Sequence, residues 1–348
     1  MLDGCLVVNK PSGLTSHDVV DEVRRAYGLK AGHGGTLDPL AQGVLLIFLG
    51  RALKIIQFIP PDHLDKTYLM KVTLGRTTDT FDSTGKTVAE HPGTIDANRE
   101  DVLAALRRFV GTYDQQPPIF SAIKVKGKRA YALARAGAPV ELAARKIHVT
   151  SIRLVRDYSS LSAETGELSR HLVLRIHCSR GTYVRSIAHD LGKMLGCGGH
   201  LSYLLRERVG SWSLLDSFPI WRVREKQPFG ESRSFIPYNQ ILPFSRLTVS
   251  EPACKKVMSG IPLEPSDIEH LEPSPGNPDE ESLLQVFSPS GDLLALYGKA
   301  GPGQQKLVAL RVLGAPAVSG VSRVPGVPMV PGVPMAPGVP GIPRFPGK

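Results

Sequence analysis

The chain is organised around one glycine-rich stretch, Gly32-His33-Gly34-Gly35-Thr36-Leu37-Asp38-Pro39-Leu40-Ala41-Gln42-Gly43-Val44. It holds one imidazole and one carboxylate, and it runs directly into the apolar residues 45–49. Glycines adopt backbone angles that other residues resist, so the stretch can follow a path that no helix or strand allows. Pro39 fixes its own φ angle and biases Asp38 toward an extended conformation. Two interpretations stay open from this stretch alone: a carboxylate held for chemistry beside a buried strand, or a tight turn with a backbone-bonded aspartate.

The composition favours a globular protein with a polyanionic partner. The 348 residues suffice for two domains, and 42% of them are hydrophobic. The formal net charge is +10 and the isoelectric point is about 9.5. This charge favours nucleic acid over a membrane as the binding partner, although a generic basic protein would have the same composition. The four cysteines lack metal-ligand spacing, the first residues lack a signal-peptide pattern, and the longest apolar run, 44–49, is too short to span a bilayer. These features predict a cytoplasmic protein with reduced thiols.

Hydrophobic periodicity predicts strands and helices on both sides of the stretch. Residues 66–75 alternate like a half-buried strand, with Tyr68 on its apolar face. Helices are predicted after Thr15, after Asn98 and over residues 184–195. Arg185 falls in the first turn of the third helix, where a cation opposes the helix dipole. It therefore either has an anionic partner elsewhere in the fold or is an ordinary surface arginine.

A basic segment follows two prolines at positions 117 and 118. Its four cations are interleaved with small and apolar residues: Lys124, Lys126, Lys128 and Arg129. Such a surface can follow a phosphate backbone, but a solvated hairpin tip would have the same composition.

The composition also predicts the division of the chain. A catalytic-size domain is expected over 1–228, a linker over 229–240 and a small, mainly β domain over 241–313. Within residues 314–348 the unit Val-Pro-Gly-Val-Pro-Met recurs with variations over 324–341, and such a segment cannot form a core. We therefore expect a disordered Pro/Gly/Val-rich tail, and the glycine spacing excludes collagen.

Motifs in a fixed order then resemble a known family. They are Asn9-Lys10-Pro11-Ser12-Gly13-Leu14-Thr15-Ser16, the stretch 32–44, the segment 116–137, and Cys178-Ser179-Arg180-Gly181-Thr182-Tyr183-Val184-Arg185 followed by the glycine-rich residues 195–201. A single Leu-Asp-Pro motif does not identify a family, but the whole set of motifs in this order is specific to one. Over roughly residues 4–225 the chain resembles the TruB-type tRNA pseudouridine synthases. Three positions depart from the family pattern: Gly34, Gln42 and Phe120.

The resemblance implies a fold, a reaction and a partner. The fold would be α+β, with a mixed, mainly antiparallel central sheet flanked by helices, and residues 241–313 resemble a degenerate PUA-type RNA-binding domain. The reaction would isomerise uridine 55 in the T-loop of tRNA to pseudouridine, with no metal or organic cofactor. The expected partner is the T-arm of tRNA, bound by a monomer without guide RNA and without a membrane.

The resemblance also implies roles for six side chains. Asp38 matches the catalytic aspartate, Arg185 the arginine that pairs with it, and Tyr68 the ring that stacks on the flipped base. His33 matches a residue that helps to open the loop, and Tyr183 and Leu204 match residues of the uracil pocket. Each could instead have only a structural role. Two rival functions also stay open: a noncatalytic RNA-binding or RNA-chaperone protein, and a carboxylate-dependent hydrolase of another nucleoside.

Overall fold

The structure is a computed structural model that describes most of the chain up to Gly314. The described residues are 2–91, 95–121, 123–125, 127–130, 133, 141–161, 168–274, 283–299 and 307–314. The predicted tail lies outside them apart from Gly314, as do Lys126 and most of residues 131–140. For Lys124, Lys128 and Arg129 only the backbone is described.

The described residues form twenty strands. In chain order they are β1 Gly4–Lys10, β2 Ala31–His33, β3 Gln42–Leu49, β4 Lys66–Leu74, β5 Arg76–Thr78, β6 Thr87–Glu90, β7 Gly111–Gln115, β8 Lys124–Val125, β9 Lys128–Arg129, β10 Arg145–Leu161, β11 Leu168–Cys178, β12 Gly199–Val209, β13 Trp212–Ser213, β14 Phe218–Pro219, β15 Phe235–Pro237, β16 Arg246–Val249, β17 Ile268–Glu272, β18 Leu283–Phe287, β19 Leu293–Lys299 and β20 Leu307–Val312.

Five α-helices have both ends within the described residues. They are α1 Ser16–Tyr27, α2 Arg99–Arg107, α3 Val184–Met194, α4 Ile220–Arg224 and α5 Glu251–Met258. Short 3-10 helices occur at Gly50–Lys54, Ile56–Phe58, Asp62–Leu64, Leu214–Asp216, Tyr238–Gln240 and Pro265–Asp267. The caps that the sequence predicts are present: Thr15 caps α1, Gly28 ends it in a left-handed conformation, and Asn98 caps α2.

The main sheet has eleven strands, eight of which follow the order β14-β1-β3-β12-β4-β11-β10-β7. The pairs β1–β14 and β3–β12 are parallel, and the other pairs in this sheet are antiparallel. The mixed, mainly antiparallel sheet predicted for this fold class is therefore confirmed. Its centre is the trio β3, β12 and β4, of which β4 carries Tyr68 and β12 carries Leu204.

At β1 and β3 both faces of the main sheet are buried, and the residues of these two strands alternate between two cores. Leu6 and Ile47 face a cluster that includes Val20 of α1 and Leu191 of α3. Val7 and Phe48 face a second cluster, which also contains residues from the C-terminal part of the chain. This double burial explains why residues 44–49 are apolar without interruption.

The C-terminal part is a five-stranded sheet in the order β17-β16-β18-β19-β20, covered by α5. The mainly β character predicted for residues 241–313 is confirmed, whereas their likeness to a PUA-type domain stays a prediction. Tyr238 and Leu293 join this part to the second cluster of the main sheet, and the Tyr238 hydroxyl donates to the Leu293 carbonyl at 2.7 Å. The described residues cluster as one compact unit, and the boundary at 229–240 stays a prediction.

Within the described part of the chain, no helix combines the length and the apolar character that crossing a bilayer requires. The cytoplasmic location stays a prediction.

Candidate active site

The glycine-rich stretch forms the loop between β2 and β3, and buried polar side chains anchor it. Ser16 at the start of α1 bonds the Leu37 backbone twice: its hydroxyl donates to the carbonyl at 3.1 Å and accepts from the amide at 2.8 Å. The Lys10 ammonium, at the end of β1, donates to the carbonyls of Leu14 at 2.6 Å and Pro39 at 3.4 Å. Burial lowers the pKa of Lys10 to about 8, although the nearby Asp38 carboxylate opposes that shift. The residues on both sides of Asp38 are thus fixed, Leu37 to α1 and Pro39 to β1.

Asp38 contacts Arg185 through both of its oxygens. Arg185 Nε lies 2.9 Å from Oδ2, and Nη2 donates to Oδ1 at 3.3 Å. The side chain of Arg185 is 6% exposed and that of Asp38 is 34% exposed, so the carboxylate remains open to a ligand while its partner is buried. The arginine predicted to need an anionic partner therefore has one, 147 positions away in the sequence. Of these two contacts, the one from Nη2 to Oδ1 is a hydrogen bond and the one from Nε to Oδ2 is an ion pair, and together they hold the carboxylate beside the guanidinium.

Arg185 is held in turn by three other groups. Nη1 donates to the Thr80 carbonyl at 3.0 Å and lies 3.6 Å from Asp82 Oδ2. Nη2 also donates to the Phe120 carbonyl at 2.9 Å. Asp82 is 3% exposed, and its Oδ1 accepts from Thr84, from the hydroxyl at 2.6 Å and from the amide at 2.9 Å. Sequence analysis does not single out Asp82, because the polar residues 76–85 resemble a solvated loop. In the structure Arg76–Thr78 form a short strand instead, paired with Thr87–Glu90.

A second buried arginine supports the same loop from the strand side. Arg206 on β12 is 1% exposed, and its guanidinium donates to the carbonyls of Val44 at 2.6 Å, Thr36 at 3.3 Å and Gly35 at 3.2 Å. It also hydrogen-bonds Tyr68, which lies directly opposite on β4. Burial lowers the pKa of Arg206 and raises that of Tyr68 to about 12. Arg206 was not among the residues that the sequence singled out.

Gly43 explains how β3 approaches Arg206 so closely. Its φ is +106°, and a Cβ atom at this position would collide with the Arg206 carbonyl oxygen. Only glycine tolerates both the positive φ angle and the close approach.

Of the three departures from the family pattern, Gly34 has a direct structural reason, because the Phe48 ring fills the space that a Cβ would take. Gln42 bonds the Tyr203 side chain, and Phe120 contributes its carbonyl to Arg185.

These groups line a cleft of about 710 Å³, which is within the usual range for a small-molecule or nucleotide site. Tyr68, Tyr183 and Leu204 line it together with Asp38 and Arg185, so the structure brings these five predicted residues together. Among the described residues that line the cleft, Asp38 is the only carboxylate, whereas four cations are present besides Arg185: Lys66, Arg145, Lys146 and Arg180. Gln115 fixes the Tyr183 backbone from below, donating to its carbonyl at 3.0 Å and accepting from its amide at 2.8 Å. The cleft therefore suits an anionic ligand that is presented to one carboxylate.

Other predicted residues lie outside this group. His33 is the last residue of β2, paired with Ile47, and it is not among the residues lining the cleft. The basic segment forms a small hairpin in which Lys124 pairs with Arg129 around Gly127. A hairpin tip was one of the two interpretations left open, and the hairpin backbone is compatible with both.

Comparison with known proteins gives the family. Residues 24–184 match the family described as TruB family pseudouridylate synthase (N terminal domain). A tRNA pseudouridine synthase B of Syntrophotalea carbinolica is 39% identical over 75% of this chain and 82% of its own length. One of Bacillus pumilus is 36% identical over 90% and 98%, respectively. Among solved structures, an H/ACA RNP bound to a substrate RNA containing 2'-deoxyuridine has a chain that is 21% identical, with a TM-score of 0.61, covering 90% of this chain and 85% of that one. That likeness shows the fold alone.

The fold is a mixed α+β sheet, and its cleft holds one carboxylate paired with a buried arginine. The chain belongs to the TruB family of pseudouridylate synthases, which are isomerases.

Proposed function

We propose that the protein converts uridine 55 in the T-loop of tRNA to pseudouridine, acting alone and without guide RNA. The observation that carries this proposal is the Asp38–Arg185 pair, placed with one open carboxylate in a cleft whose other charged lining residues are all cations. The names of the curated relatives support tRNA as the substrate class. The expected organic chemistry needs a carboxylate and no cofactor.

In the proposed reaction, the bond between uracil N1 and ribose C1′ breaks, the base turns, and a bond between C5 and C1′ forms. The C5 proton is lost and N1 gains one, so no atom is gained or lost overall. Asp38 stabilises or captures the electron-poor intermediate and leaves again, as carboxylates do in glycosyl transfer. Arg185 keeps the carboxylate aimed at the reacting atoms throughout, with no reorganisation at the moment of reaction.

The target base must leave the tRNA stack to reach Asp38. We assign Tyr68 to stacking on the flipped uracil and to assisting the loss of the C5 proton, and Tyr183 and Leu204 to the walls of the pocket. Tyr68 on β4 and Leu204 on β12 are both largely buried and both line the cleft, which supports these assignments. His33, which ends β2 just before the loop, would contact the T-loop nucleotides that move apart.

The direct test uses purified protein and an unmodified T-arm RNA hairpin, with no other factor. We expect pseudouridine at the position equivalent to 55, detected by site-specific mapping, with the RNA mass unchanged. Release of free uracil would support a nucleoside hydrolase instead. Tight binding with no change in the RNA would support a noncatalytic RNA-binding protein. Activity only after addition of a guide RNA would contradict the proposed independence.

The basic segment should grip the RNA backbone. The test replaces four residues with glutamine at once: Lys124, Lys126, Lys128 and Arg129. The slope of log Kd against log salt concentration should decrease by about 3, because each lost phosphate contact removes roughly 0.7–0.9 from the slope. The matched control neutralises four exposed cations that do not line the cleft: Arg99, Arg107, Arg108 and Lys193. An unchanged slope in the first variant, or an equal loss in the control, would contradict this assignment.

Lys66 should make RNA binding depend on pH. Burial, followed by the charge of Arg206, lowers the pKa of this cleft lysine to about 8. A bound phosphate would favour the ammonium form, so RNA affinity should fall about tenfold between pH 7 and pH 9, as the free protein loses this proton. Filter binding across this range measures the effect. Lys66→Arg stays charged throughout and should bind with a flat profile; a slope that persists in this variant would assign the titration to another group.

A further inference from the structure

A tight turn between β5 and β6 carries two of the groups that hold Arg185. Thr80 offers its carbonyl and Asp82 its carboxylate, and Phe81 stands between them. Phe81 has φ of +64°, and among the described residues it shares such a left-handed backbone only with Lys226 and glycines. For an aromatic residue this conformation is sparsely populated, so surrounding contacts must impose it.

The imposing contact comes from the same helix as Arg185. His189 on α3 stacks flat on the Phe81 ring, with centroids 3.9 Å apart and an angle of 12° between the planes. Residues 185 and 189 are four positions apart, so they project from the same face of α3. On the other side, the Leu201 amide donates to the Phe81 carbonyl at 2.9 Å and fixes the turn to β12. The turn is thus clamped between the helix and the sheet.

Within the part of the chain that the structure describes, no hydrogen bond explains the position of His189, and its buried Nδ1 has no partner there. Burial lowers the pKa of the ring, against the opposing influence of Asp190. A neutral ring that makes no hydrogen bond through this nitrogen is suited to stacking. The proposed mechanism uses neither His189 nor Phe81, and neither lines the cleft.

We infer that Phe81 and His189 form a stacking clamp that positions Arg185, and through it Asp38, for the isomerisation. The clamp holds Phe81 in its left-handed conformation, which aims the Thr80 carbonyl and the Asp82 carboxylate at the guanidinium. Both are positioning residues, because they act through Arg185 and do not reach the substrate. The kinetic test of this inference rests on the proposed function, whereas the NMR test of the structure does not.

The kinetic test compares His189→Ala with His189→Phe on the T-arm hairpin. His189→Ala should lower the single-turnover rate constant about tenfold and leave the RNA Kd within twofold, because the clamp orients reacting groups and does not bind RNA. His189→Phe can still stack on Phe81 and should retain most of the rate. Phe81→Gly accepts the left-handed backbone but cannot stack, so it should lose about tenfold, with little further loss when combined with His189→Ala. Lys193→Ala, an exposed change on the same helix, is the control.

A second measurement does not depend on catalysis. In the free protein, NMR should show a slowly exchanging Nε–H resonance of Arg185, broadened in His189→Ala and restored in His189→Phe. Equal rates in wild type and His189→Ala, or equal impairment in the alanine and phenylalanine variants, would overturn the clamp. If the wild type makes no pseudouridine, the proposed function fails, and the NMR comparison alone decides the clamp: an Arg185 resonance that His189→Ala leaves unchanged would overturn it.

Discussion

Replacing Asp38 with asparagine should abolish pseudouridine formation while the protein still folds and still binds tRNA. The rate should fall on the order of 10⁴-fold or more, the loss typical for the removal of a group that reacts directly. Asparagine has nearly the same shape and can still accept from Arg185 Nη2, but it carries no charge and is a far weaker nucleophile. Because the Asp38 side chain is 34% exposed, the free energy of unfolding should change by only about 1 kcal/mol.

Three measurements separate catalysis from folding and binding: pseudouridine mapping, the RNA Kd and the melting temperature. Asp62→Asn is the matched control, an exposed carboxylate two positions before the cleft residue Leu64. It should behave as wild type in all three. Normal turnover by Asp38→Asn would contradict the assignment of Asp38 as the reacting carboxylate. Loss of turnover together with loss of folding would indicate that the carboxylate has a structural role.

The sequence predicted the parts of the site that local pattern and the family motifs encode. The strand face with Tyr68, the capped helix α1 and the helix that begins at Val184 all follow from periodicity and caps. Arg185 was flagged because a cation at a helix start is unfavourable, and its partner proved to be Asp38. That pairing spans 147 positions, and it was reached through the resemblance, since no local rule predicts a contact over such a separation.

The groups that hold the site in place could not be predicted in the same way. Strand β12 has bulges between Leu201 and Tyr203 and between Arg206 and Arg208, so its residues do not alternate regularly. The sequence shows Arg206 as a charged residue next to Leu204 and Leu205. Because of the bulges, the sequence does not show on which face of the sheet its side chain lies. Asp82 lies in a turn of polar residues that resembles any solvated loop, and its burial depends on α3 and β12, which follow more than 100 positions later.

Replacing Arg206 with methionine should both destabilise the protein and slow the reaction. Methionine fills similar space but leaves the carbonyls of Val44, Thr36 and Gly35 without their donor. Each buried acceptor that loses its partner costs roughly 1–3 kcal/mol. Removing an isolated buried charge offsets part of that cost, because among the described residues no carboxylate lies within ion-pair distance of Arg206. We expect a net loss of about 3 kcal/mol in the free energy of unfolding, measured by urea denaturation.

The effect on rate should exceed the effect on binding, because Arg206 connects the Asp38 loop to Tyr68. Misplacing reacting groups by about 1 Å can cost about 100-fold, and we expect a loss of that size in the single-turnover rate constant at a temperature where the variant is folded. Arg206→Lys keeps the charge, but one ammonium cannot reach three carbonyls. The rate constant of this variant should therefore lie between those of the wild type and Arg206→Met. Arg208→Met, the exposed arginine two positions along β12, is the control and should change stability by less than about 0.5 kcal/mol. If Arg206→Met were destabilised but reacted at the wild-type rate, Arg206 would support the sheet without orienting the site.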